Sequence, residues 1–286
     1  MSEHPSCRRM SSAPRSPETR QRLDSNVVHV GLIGAGNMAR AIARGWGDPV
    51  LCSDGGSGRA QELVDELGGE AFASNLEVAE RADLVVLCHK PAGLEPVAQE
   101  IAGVATAVAS VLGATSVARL QAAYPSTPVF RMMPNTAVEV RRGVVCYAPA
   151  ADVDPDLEAD VVALFARLGR VVALEERHLG AATAVMGVGP AYQALLAEAQ
   201  VDAAVRHGLK PRLAAELVTE TMGGTAALLA ARDYDTLAVR REVTSPGGST
   251  ARGLAALERA GVRAAFQDAI DAVIEVAVDA PAGVAR

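Results

Sequence analysis

Residues 243–250 read VTSPGGST and place a proline and two glycines between stretches of helical composition. Because Gly247 and Gly248 have no side chains, their backbone N–H groups can converge on an anion, and a helix beginning at Ser249 adds its positive dipole end. Two or three charge-assisted hydrogen bonds, worth about 1.5–3 kcal/mol each, could hold a small carboxylate without an arginine. The alternative is a helix cap by Ser245 or Ser249, which needs no Pro-Gly-Gly. We therefore predict an anion site at Ser245, Gly247, Gly248, Ser249 and Thr250.

A second glycine turn, GAGNMA at residues 34–39, follows an apolar run and precedes a helical pattern. Gly34 permits the tight turn, Gly36 lets the backbone approach a pyrophosphate, and the small Ala39 allows the helix to pack closely on the strand. The helix N-terminus then faces the anion with its unpaired N–H groups. In this strand–turn–helix context, the motif predicts a dinucleotide-binding site.

The residues at the end of the second strand leave the dinucleotide open between NADPH and NADH. Asp54 stands where an acid usually holds the ribose 2′-hydroxyl of NAD, and its charge would repel the 2′-phosphate of NADP. Ser53, Ser57 and Arg59 lie in the same glycine-rich loop and could instead hold that phosphate. Both cofactors therefore remain possible at this point.

The tripeptide HKP at residues 89–91 follows the buried run LVVLC and falls at the carboxyl end of the sheet, where cofactors bind. Lys90 is either a solvated surface lysine or a site residue. Asn75 begins the sequence NLEV at a helix start, so helix capping is the alternative to a binding role. Arg131 and Asn135 could shape the site from a later strand end, although such an arginine is often only an ion-pairing residue.

These residues need a scaffold that brings several strand ends together. From residue 27 to about residue 174, short apolar runs alternate with helical patterns. The runs are VVHVGLIG, PVLCSD, DLVVLCHKP, TAVASVLG, TPVFRMMP and GVVCYAP. Continuous apolar strands alternating with helices indicate a parallel sheet covered on both faces. We predict an α/β fold, with a Rossmann-type doubly wound parallel sheet over residues 27–175.

The second part of the chain, residues 176–286, is predicted to be an all-α domain that begins with a helix near Glu176. Some of its helical patterns are apolar on more than one face, as in AATAVMGVGPAYQALLAEA. A helix that is apolar all round must be buried, either in this chain or against a second copy. We therefore expect a homodimer formed through the helical domain, which could assemble into a larger homo-oligomer.

The composition excludes several classes of function. A formal charge of −7 and an aromatic content of 3% argue against nucleic acid as a partner. No CxxC pair and no histidine pair at ligand spacing occurs, so we expect no metal site. Residues 1–26 are rich in Ser, Pro and Arg and are predicted to be disordered. No apolar segment follows Arg8 and Arg9 or approaches membrane-spanning length, so we expect a cytoplasmic protein without membrane contact.

Three further motifs occur in a fixed order: RMMPNT at residues 131–136, MGVGPAY at 186–192 and SPGGST at 245–250. With GLIGAGNMA and the KP dipeptide, they make the chain from residue 27 to about 280 resemble the pyrroline-5-carboxylate reductase family. The resemblance implies reduction of the cyclic imine of pyrroline-5-carboxylate to proline with hydride from NADPH or NADH. It also implies a Rossmann domain followed by a helical domain that intertwines with a partner chain.

The same resemblance assigns roles to residues. The cofactor-side positions that it implies are Gly34, Gly36, Asn37, Met38, Asn75 and Lys90, to which we add Ser53, Asp54, Pro91 and Asn135. The SPGGxT segment is similar to the family's substrate-carboxylate loop, and Thr250 matches the threonine proposed to hydrogen-bond the imine nitrogen, so it is the predicted catalytic residue. A protonated imine is already electrophilic, so no strong general acid is required. His178 and His207 are expected to be surface or packing residues, and Tyr192 a packing residue.

The chain departs from the family at several positions, two of them at the junction of its two halves. Met186 and Val188 occupy positions where the family usually has serines, Gly113-Ala114 reverses the usual Ala-Gly pair, and HKP stands where VKP is common. The apolar residues favour, as an alternative substrate, another cyclic imino acid such as piperideine carboxylate or a substituted pyrroline carboxylate. A third hypothesis is a non-catalytic dinucleotide-binding protein, which the SPGGST loop disfavours.

Overall fold

The computed structural model of the protein describes residues 28–149 and 153–279, with side chains up to residue 275. The segment 1–26, predicted to be disordered, lies outside the described residues. Within them, strands β1 to β8 span Val30–Ile33, Val50–Ser53, Gly69–Phe72, Leu84–Leu87, Val108–Ser110, Val129–Pro134, Gly143–Ala148 and Gly169–Ala173. Helices α1 to α12 span Asn37–Trp46, Arg59–Leu67, Asn75–Arg81, Leu94–Ile101, Val117–Ala123, Pro155–Ala166, Leu179–Ala182, Gly189–Arg206, Pro211–Ala230, Thr236–Glu242, Ser249–Arg259 and Val262–Asp279.

The strands form one sheet in the order β3-β2-β1-β4-β5-β6-β7-β8. Strands β1 to β6 run parallel to one another, as expected of apolar strands that alternate with helices. Strand β7 is antiparallel to β6, with Arg131 opposite Ala148, and β8 is parallel to β7. The predicted Rossmann-type sheet is therefore confirmed, except that the run GVVCYAP enters it in the opposite direction.

The apolar runs of the sequence do not include β3 and β8. These two strands are the edges of the sheet, and most of their side chains are exposed or half-exposed. A strand with a helix over each face needs a continuous apolar run, whereas an edge strand does not. The sequences GEAF and GRVVA consequently carry too weak a pattern to be recognised as strands.

Each face of the sheet carries its own hydrophobic core. On one face, α1, α2 and α6 cover the strands, and Trp46 stands edge-on to Phe165 with 5.4 Å between ring centroids. The indole N–H of Trp46 donates to the carbonyl oxygen of Leu164 at 3.0 Å. On the other face, α3, α4 and α5 cover the strands around the fully buried Tyr124. These two cores hold the carboxyl ends of β1, β2 and β4 side by side.

Gly45 lets α1 pack closely against the backbone at Val138. A Cβ on this residue would lie 2.3 Å from the carbonyl oxygen of Val138 and 2.7 Å from a methyl carbon of Leu168. We expect Gly45→Ala to destabilise the protein by about 1–3 kcal/mol, because a backbone carbonyl cannot yield easily. Urea unfolding measures the change, with Gly103→Ala as the control, since a Cβ there meets open space. Equal stability of the two variants would contradict this packing.

Only helices and turns follow Ala173 within the described residues. A 3₁₀ turn at Glu176–His178 leads through α7 into a π-helical turn at Thr183–Gly187 and then into α8. No residue of α8 is buried, and α9 buries only Ala214. The leucines exposed along this half are Leu195, Leu196, Leu209, Leu213, Leu217, Leu237 and Leu257. So many exposed leucines indicate a surface that a further partner covers.

The stretch Glu176–Arg206 is also long and apolar enough to cross a membrane, by length and composition only. Its mean hydropathy is 1.2, and 11% of the apolar window is buried within the chain. The expectation from the sequence that no apolar segment approaches membrane-spanning length is therefore wrong for this stretch. One such stretch is weak support for a membrane span, because helices buried in soluble assemblies have the same composition.

Candidate functional site

The first glycine turn joins three strand ends. Gly34 has a φ of +100°, and a Cβ on it would lie 2.8 Å from the backbone nitrogen of His89. The N–H of Gly34 donates to the carbonyl oxygen of Ser53 at 2.8 Å, and that of Cys88 donates to Ile33 at 2.9 Å. The turn thus requires glycine at position 34 because of both its conformation and its closeness to the end of β4.

Gly36 is the N-cap of α1 and lies open to its surroundings. No heavy atom would lie within 4 Å of a Cβ at this position, apart from those of its chain neighbours. Among the described residues no side chain caps the helix, and its first turn carries no acid. The first N–H groups of α1, contributed by Asn37 and Met38 and the residues after them, are therefore free to bind an anion such as a pyrophosphate.

The carboxylate of Asp54 organises the loop after β2. Its Oδ1 accepts hydrogen bonds from the backbone N–H groups of Gly56 at 2.8 Å and Ser57 at 3.1 Å. Its Oδ2 accepts from the hydroxyl of Ser57 at 2.7 Å and from the N–H of Ala60 at 3.0 Å. Partial burial works to raise the pKa of Asp54, but these bonds and the N–H of Arg59 together lower it to about 2. Asp54 is therefore ionised at any working pH and is bonded within its own loop.

Ser53 and Asn75 form a hydrogen-bonded chain under this loop. The hydroxyl of the fully buried Ser53 donates to Oδ1 of Asn75 at 2.8 Å, and Nδ2 of Asn75 donates to Glu100 at 2.7 Å. Asn75 is not the cap of α3, because Ser74 takes that place and accepts from the N–H of Leu76 at 3.1 Å. The capping interpretation of Asn75 is thus wrong, and the residue ties β2 to α4 instead.

Lys90 and Pro91 follow β4 at the same end of the sheet. The N–H of Gly93 donates to the carbonyl oxygen of Lys90 at 2.9 Å, which closes a 3₁₀ turn begun by Pro91. Lys90 is exposed and has no ion-pair partner among the described residues. His89 lies against Gly34, and burial lowers the pKa of its imidazole despite a hydrogen bond to the Lys90 carbonyl. From the sequence, His89 is only a difference from the family, whereas in the structure it borders the glycine turn.

Asn135 connects the two halves of the chain. It is 8% exposed, its Nδ2 donates to the carbonyl oxygen of Met186 at 3.0 Å, and its Oδ1 accepts from the N–H of Val144 at 3.2 Å. A cofactor contact by this side chain, as predicted from the sequence, would have to use its remaining N–H. Arg131 makes a second connection, because its Nη1 lies 2.5 Å from Oε1 of Glu176. Its ion-pairing interpretation is confirmed.

The two apolar departures from the family, Met186 and Val188, lie in the π-helical turn Thr183–Gly187 and at its C-cap. Met186 packs against the third hydrophobic cluster, which contains Cys146, Ala148 and Leu179. The N–H of Val188 donates to the carbonyl oxygen of Thr183 at 3.1 Å and so closes the turn. The side chain of Met186 is therefore occupied by packing on the sheet, and the half-buried Val188 is the departure that could change a binding pocket.

The second glycine turn precedes α11. Gly247 has a φ of +69°, and Gly248 is the N-cap of the helix, with its N–H donating to the carbonyl oxygen of Ser245 at 3.1 Å. No side chain among the described residues caps α11, so the alternative of a simple cap by Ser245 or Ser249 is wrong. The first N–H groups of α11, including that of Thr250, are free for an anion.

Two helix starts, those of α1 and α11, therefore have first N–H groups that no side chain among the described residues caps. One end of the sheet carries Gly34, Gly36, Asp54 and Lys90. The loop at residues 245–250 is mostly exposed, and in the described part of the chain no hydrogen bond joins it to the strand ends.

Tyr192 packs edge-on against Phe266, at 6.2 Å between ring centroids, as expected.

The two cysteines described near the strand ends are not reactive nucleophiles. Burial raises the pKa of Cys52 to about 12 and also raises that of Cys88, so both thiols stay protonated. Among the residues that the structure describes, no group of three His, Cys, Asp or Glu side chains could hold a metal. What the site supplies is backbone N–H groups, helix dipoles and hydroxyls, which suit binding and orientation more than covalent chemistry.

Comparisons with known families match both halves of the chain. The family model described as pyrroline-5-carboxylate reductase dimerisation matches residues 176–279. The model described as NADP oxidoreductase coenzyme F420-dependent matches residues 29–112, which contain the first glycine turn and the Asp54 loop. The starts of α1 and α11 thus fall in two separately recognised segments.

Similar proteins extend over nearly the whole chain. A pyrroline-5-carboxylate reductase from Mycobacterium tuberculosis is 39% identical over 285 residues, covering 88% of this chain and 95% of that protein. The solved 1-pyrroline-5-carboxylate reductase of Streptococcus pyogenes is 30% identical, with a TM-score of 0.81 over 88% of this chain and 99% of the other. The Plasmodium falciparum pyrroline carboxylate reductase, solved with NADP bound, is 25% identical, with a TM-score of 0.80 over 92% and 100%. The chain belongs to the pyrroline-5-carboxylate reductase family.

Proposed function

We propose that the protein is an oxidoreductase that reduces the cyclic imine of 1-pyrroline-5-carboxylate to L-proline with NADPH or NADH, the last step of proline biosynthesis. Family membership supports the reaction class. The observation that carries the proposal is the turn at Gly247 and Gly248, which leaves the first N–H groups of α11 uncapped. A small substrate carboxylate is the anion that such a turn could hold.

The two helix starts have separate tasks in this proposal. The start of α1, with Gly34 and Gly36, would bind the pyrophosphate of the dinucleotide, and the exposed Lys90 would add a positive charge nearby. The start of α11 would bind the substrate carboxylate through backbone N–H groups. Fixing both anions orients the reacting groups, which removes much of the entropic barrier to a reaction between two molecules.

The reaction requires few chemical groups from the protein's side chains. The bound cofactor supplies hydride to the imine carbon, and the imine nitrogen ends as a secondary amine after taking up one proton. The hydroxyl of Thr250 would hold the imine nitrogen by a hydrogen bond and could pass a proton to it from water. The protonated thiols of Cys52 and Cys88 take no part, because the reaction forms no covalent intermediate with the protein.

Thr250→Ala is expected to lower kcat for imine reduction by about tenfold or more, since the hydroxyl that orients the imine nitrogen is lost. The affinity for NADPH, measured by fluorescence titration, should stay within twofold of wild type. Thr250→Ser is the matched variant, because it keeps the hydroxyl and should recover most of the rate. Unaltered kinetics of Thr250→Ala would remove this residue from the site.

The match of residues 176–279 to the dimerisation family model supports a homo-oligomer, and we propose a homodimer as its basic unit. The support is the row of leucines left uncovered on α8, α9 and α11, which a second copy would bury. The same burial accounts for the apolar composition of Glu176–Arg206 without a membrane. A cytoplasmic location stays a prediction of the sequence analysis. Light scattering of the purified protein measures the mass, and a monomer at micromolar concentration would contradict the assignment.

A second candidate substrate is another cyclic imino acid, with a larger or substituted ring. Val188 is the observation that favours it, because an apolar residue replaces a usual serine at the junction of the halves. Met186 no longer supports it, since its side chain packs into the third cluster. Initial rates with pyrroline and piperideine carboxylates, using both cofactors, distinguish the candidates: equal or faster turnover of pyrroline-5-carboxylate would remove the reason for the alternative.

A further inference from the structure

The π-helical turn before α8 leaves one backbone carbonyl without its usual helical partner. In an α-helix, the carbonyl oxygen of a residue accepts from the N–H group four positions later. For Met186 that position is Pro190, the second residue of α8, and proline has no N–H. The next N–H along the chain, that of Ala191, donates to the carbonyl oxygen of Val188 at 3.0 Å. The Met186 carbonyl therefore needs a donor from another part of the chain.

Asn135 of the sheet half supplies that donor. Its Nδ2 donates to the Met186 carbonyl oxygen at 3.0 Å, although the two residues are 51 positions apart. The side chain is 8% exposed and is held in place, because its Oδ1 accepts from the N–H of Val144 at 3.2 Å. The backbone N–H of Asn135 donates to the Val144 carbonyl oxygen at 3.1 Å. A fixed amide of the sheet half thus replaces the N–H that Pro190 lacks.

This bond lies where the helical half joins the carboxyl edge of the sheet. Asn135 directly follows β6, whose carboxyl end is on the same edge as those of β1 and β4, because these strands are parallel. With strands about 4.8 Å apart, the end of β6 is roughly 10 Å from the end of β4. The segment that enters the helical half, residues 176–188, begins at another anchor, since Glu176 accepts from the N–H of Val117 and from Arg131. The amide of Asn135 therefore holds the far end of this segment.

We propose that Asn135 is a positioning residue for the reaction, which acts through the carbonyl of Met186 and does not bind the cofactor. By completing the turn, it sets the direction in which α8 leaves the sheet, and so the position of the helical half that carries the loop at residues 245–250. No hydrogen bond among the described residues joins that loop to the strand ends, so its placement depends on such connections. The inference rests on the proposed function, because it assigns a role in the same reaction. It replaces the cofactor contact predicted for this residue from the sequence.

The test compares wild type, Asn135→Ala, Pro190→Ala and the double variant. We expect Asn135→Ala to lower kcat for imine reduction at least about tenfold, because a misplacement of about 1 Å can cost roughly a hundredfold. The KM and the Kd for NADPH should stay within twofold of wild type. An alanine at position 190 restores an N–H that can donate to the Met186 carbonyl, so Asn135→Ala should cost little in the Pro190→Ala background. Pro211→Ala, which removes the first residue of α9, is the matched control and should give no such rescue.

Three results would overturn the proposal: an unaltered kcat in Asn135→Ala, a Kd for NADPH raised about tenfold or more, or an equal loss of kcat in both backgrounds. Asn135→Asp covers a failure of Asn135→Ala to fold. It keeps the acceptor for the Val144 N–H and places an oxygen against the Met186 carbonyl, so it should show the same loss of kcat.

Urea unfolding of the same four proteins measures the hydrogen bond without turnover. Asn135→Ala should destabilise the protein less when residue 190 is alanine. A protein that shows this coupling but reduces no imine would keep the contact and lose the proposed function, and the positioning role with it. A protein that reduces the imine equally fast without Asn135 would keep the proposed function and lose this inference.

Discussion

Gly248→Val is expected to lose imine-dependent turnover by at least about a hundredfold while binding NADPH within twofold of wild type. A Cβ on Gly248 would lie 2.5 Å from the hydroxyl of Ser245, and the rest of the valine would stand beside the first N–H groups of α11. Losing two charge-assisted hydrogen bonds to the substrate carboxylate costs about 3–6 kcal/mol, which corresponds to roughly 10²–10⁴ in kcat/KM. Steady-state rates and a separate cofactor titration measure the two effects.

A double variant separates the anion site from simple crowding. Ser245→Ala with Gly248→Val removes the closest contact of the new side chain but leaves the N–H groups obstructed, so it should stay inactive. Gly253→Ala in the same helix is the matched control, because a Cβ there meets open space, and its rate should equal that of wild type. Recovery of turnover in the double variant would mean that the loop contributes shape and not anion binding.

Gly36→Asp is expected to abolish cofactor binding without destabilising the fold. The position is open, has an extended backbone with φ of −74° and ψ of −175°, and is the N-cap of α1, where aspartate is a favourable residue. The carboxylate would satisfy the free N–H groups that the pyrophosphate should use, and it would repel that anion. We expect the Kd for NADPH to rise at least a hundredfold, with a Tm equal to or above that of wild type.

Gly36→Ala separates charge from size at the same position. Its methyl group meets no neighbour, so cofactor binding should weaken far less than in Gly36→Asp. If Gly36→Asp bound NADPH as tightly as wild type, the cofactor could not lie at the start of α1. If both variants unfolded at lower temperature, the openness of this position would be contradicted.

The two glycine turns could be predicted from the sequence because their signals are local. Each signal is a turn that needs glycine, followed directly by a helix, and it occupies no more than about eight consecutive residues. Both turns have this form in the structure. The order of apolar runs likewise predicts the sheet. The edge strands β3 and β8 could not be predicted in this way, because a strand whose side chains are mostly exposed has no apolar run. The reversed direction of β7 is not encoded in its composition.

Residues whose roles depend on distant partners could not be assigned in this way. Asn135 bonds Met186, which is 51 residues further along the chain, and Asn75 bonds Glu100, 25 residues away. Neither partner follows from local spacing. Asp54 is a different case, because its partners are close in sequence, yet the same acid could point toward a ribose or into its own turn. Only the positions of the loop N–H groups distinguish these two arrangements.

The most direct test of the account measures cofactor oxidation and product together. Purified protein is mixed with NADPH or NADH, with and without 1-pyrroline-5-carboxylate, and L-proline is quantified as absorbance at the nicotinamide band falls. The account predicts oxidation only when the imine is present, with one L-proline formed for each cofactor oxidised. Tight cofactor binding with no imine-dependent oxidation under any condition would contradict it and leave a non-catalytic dinucleotide-binding protein.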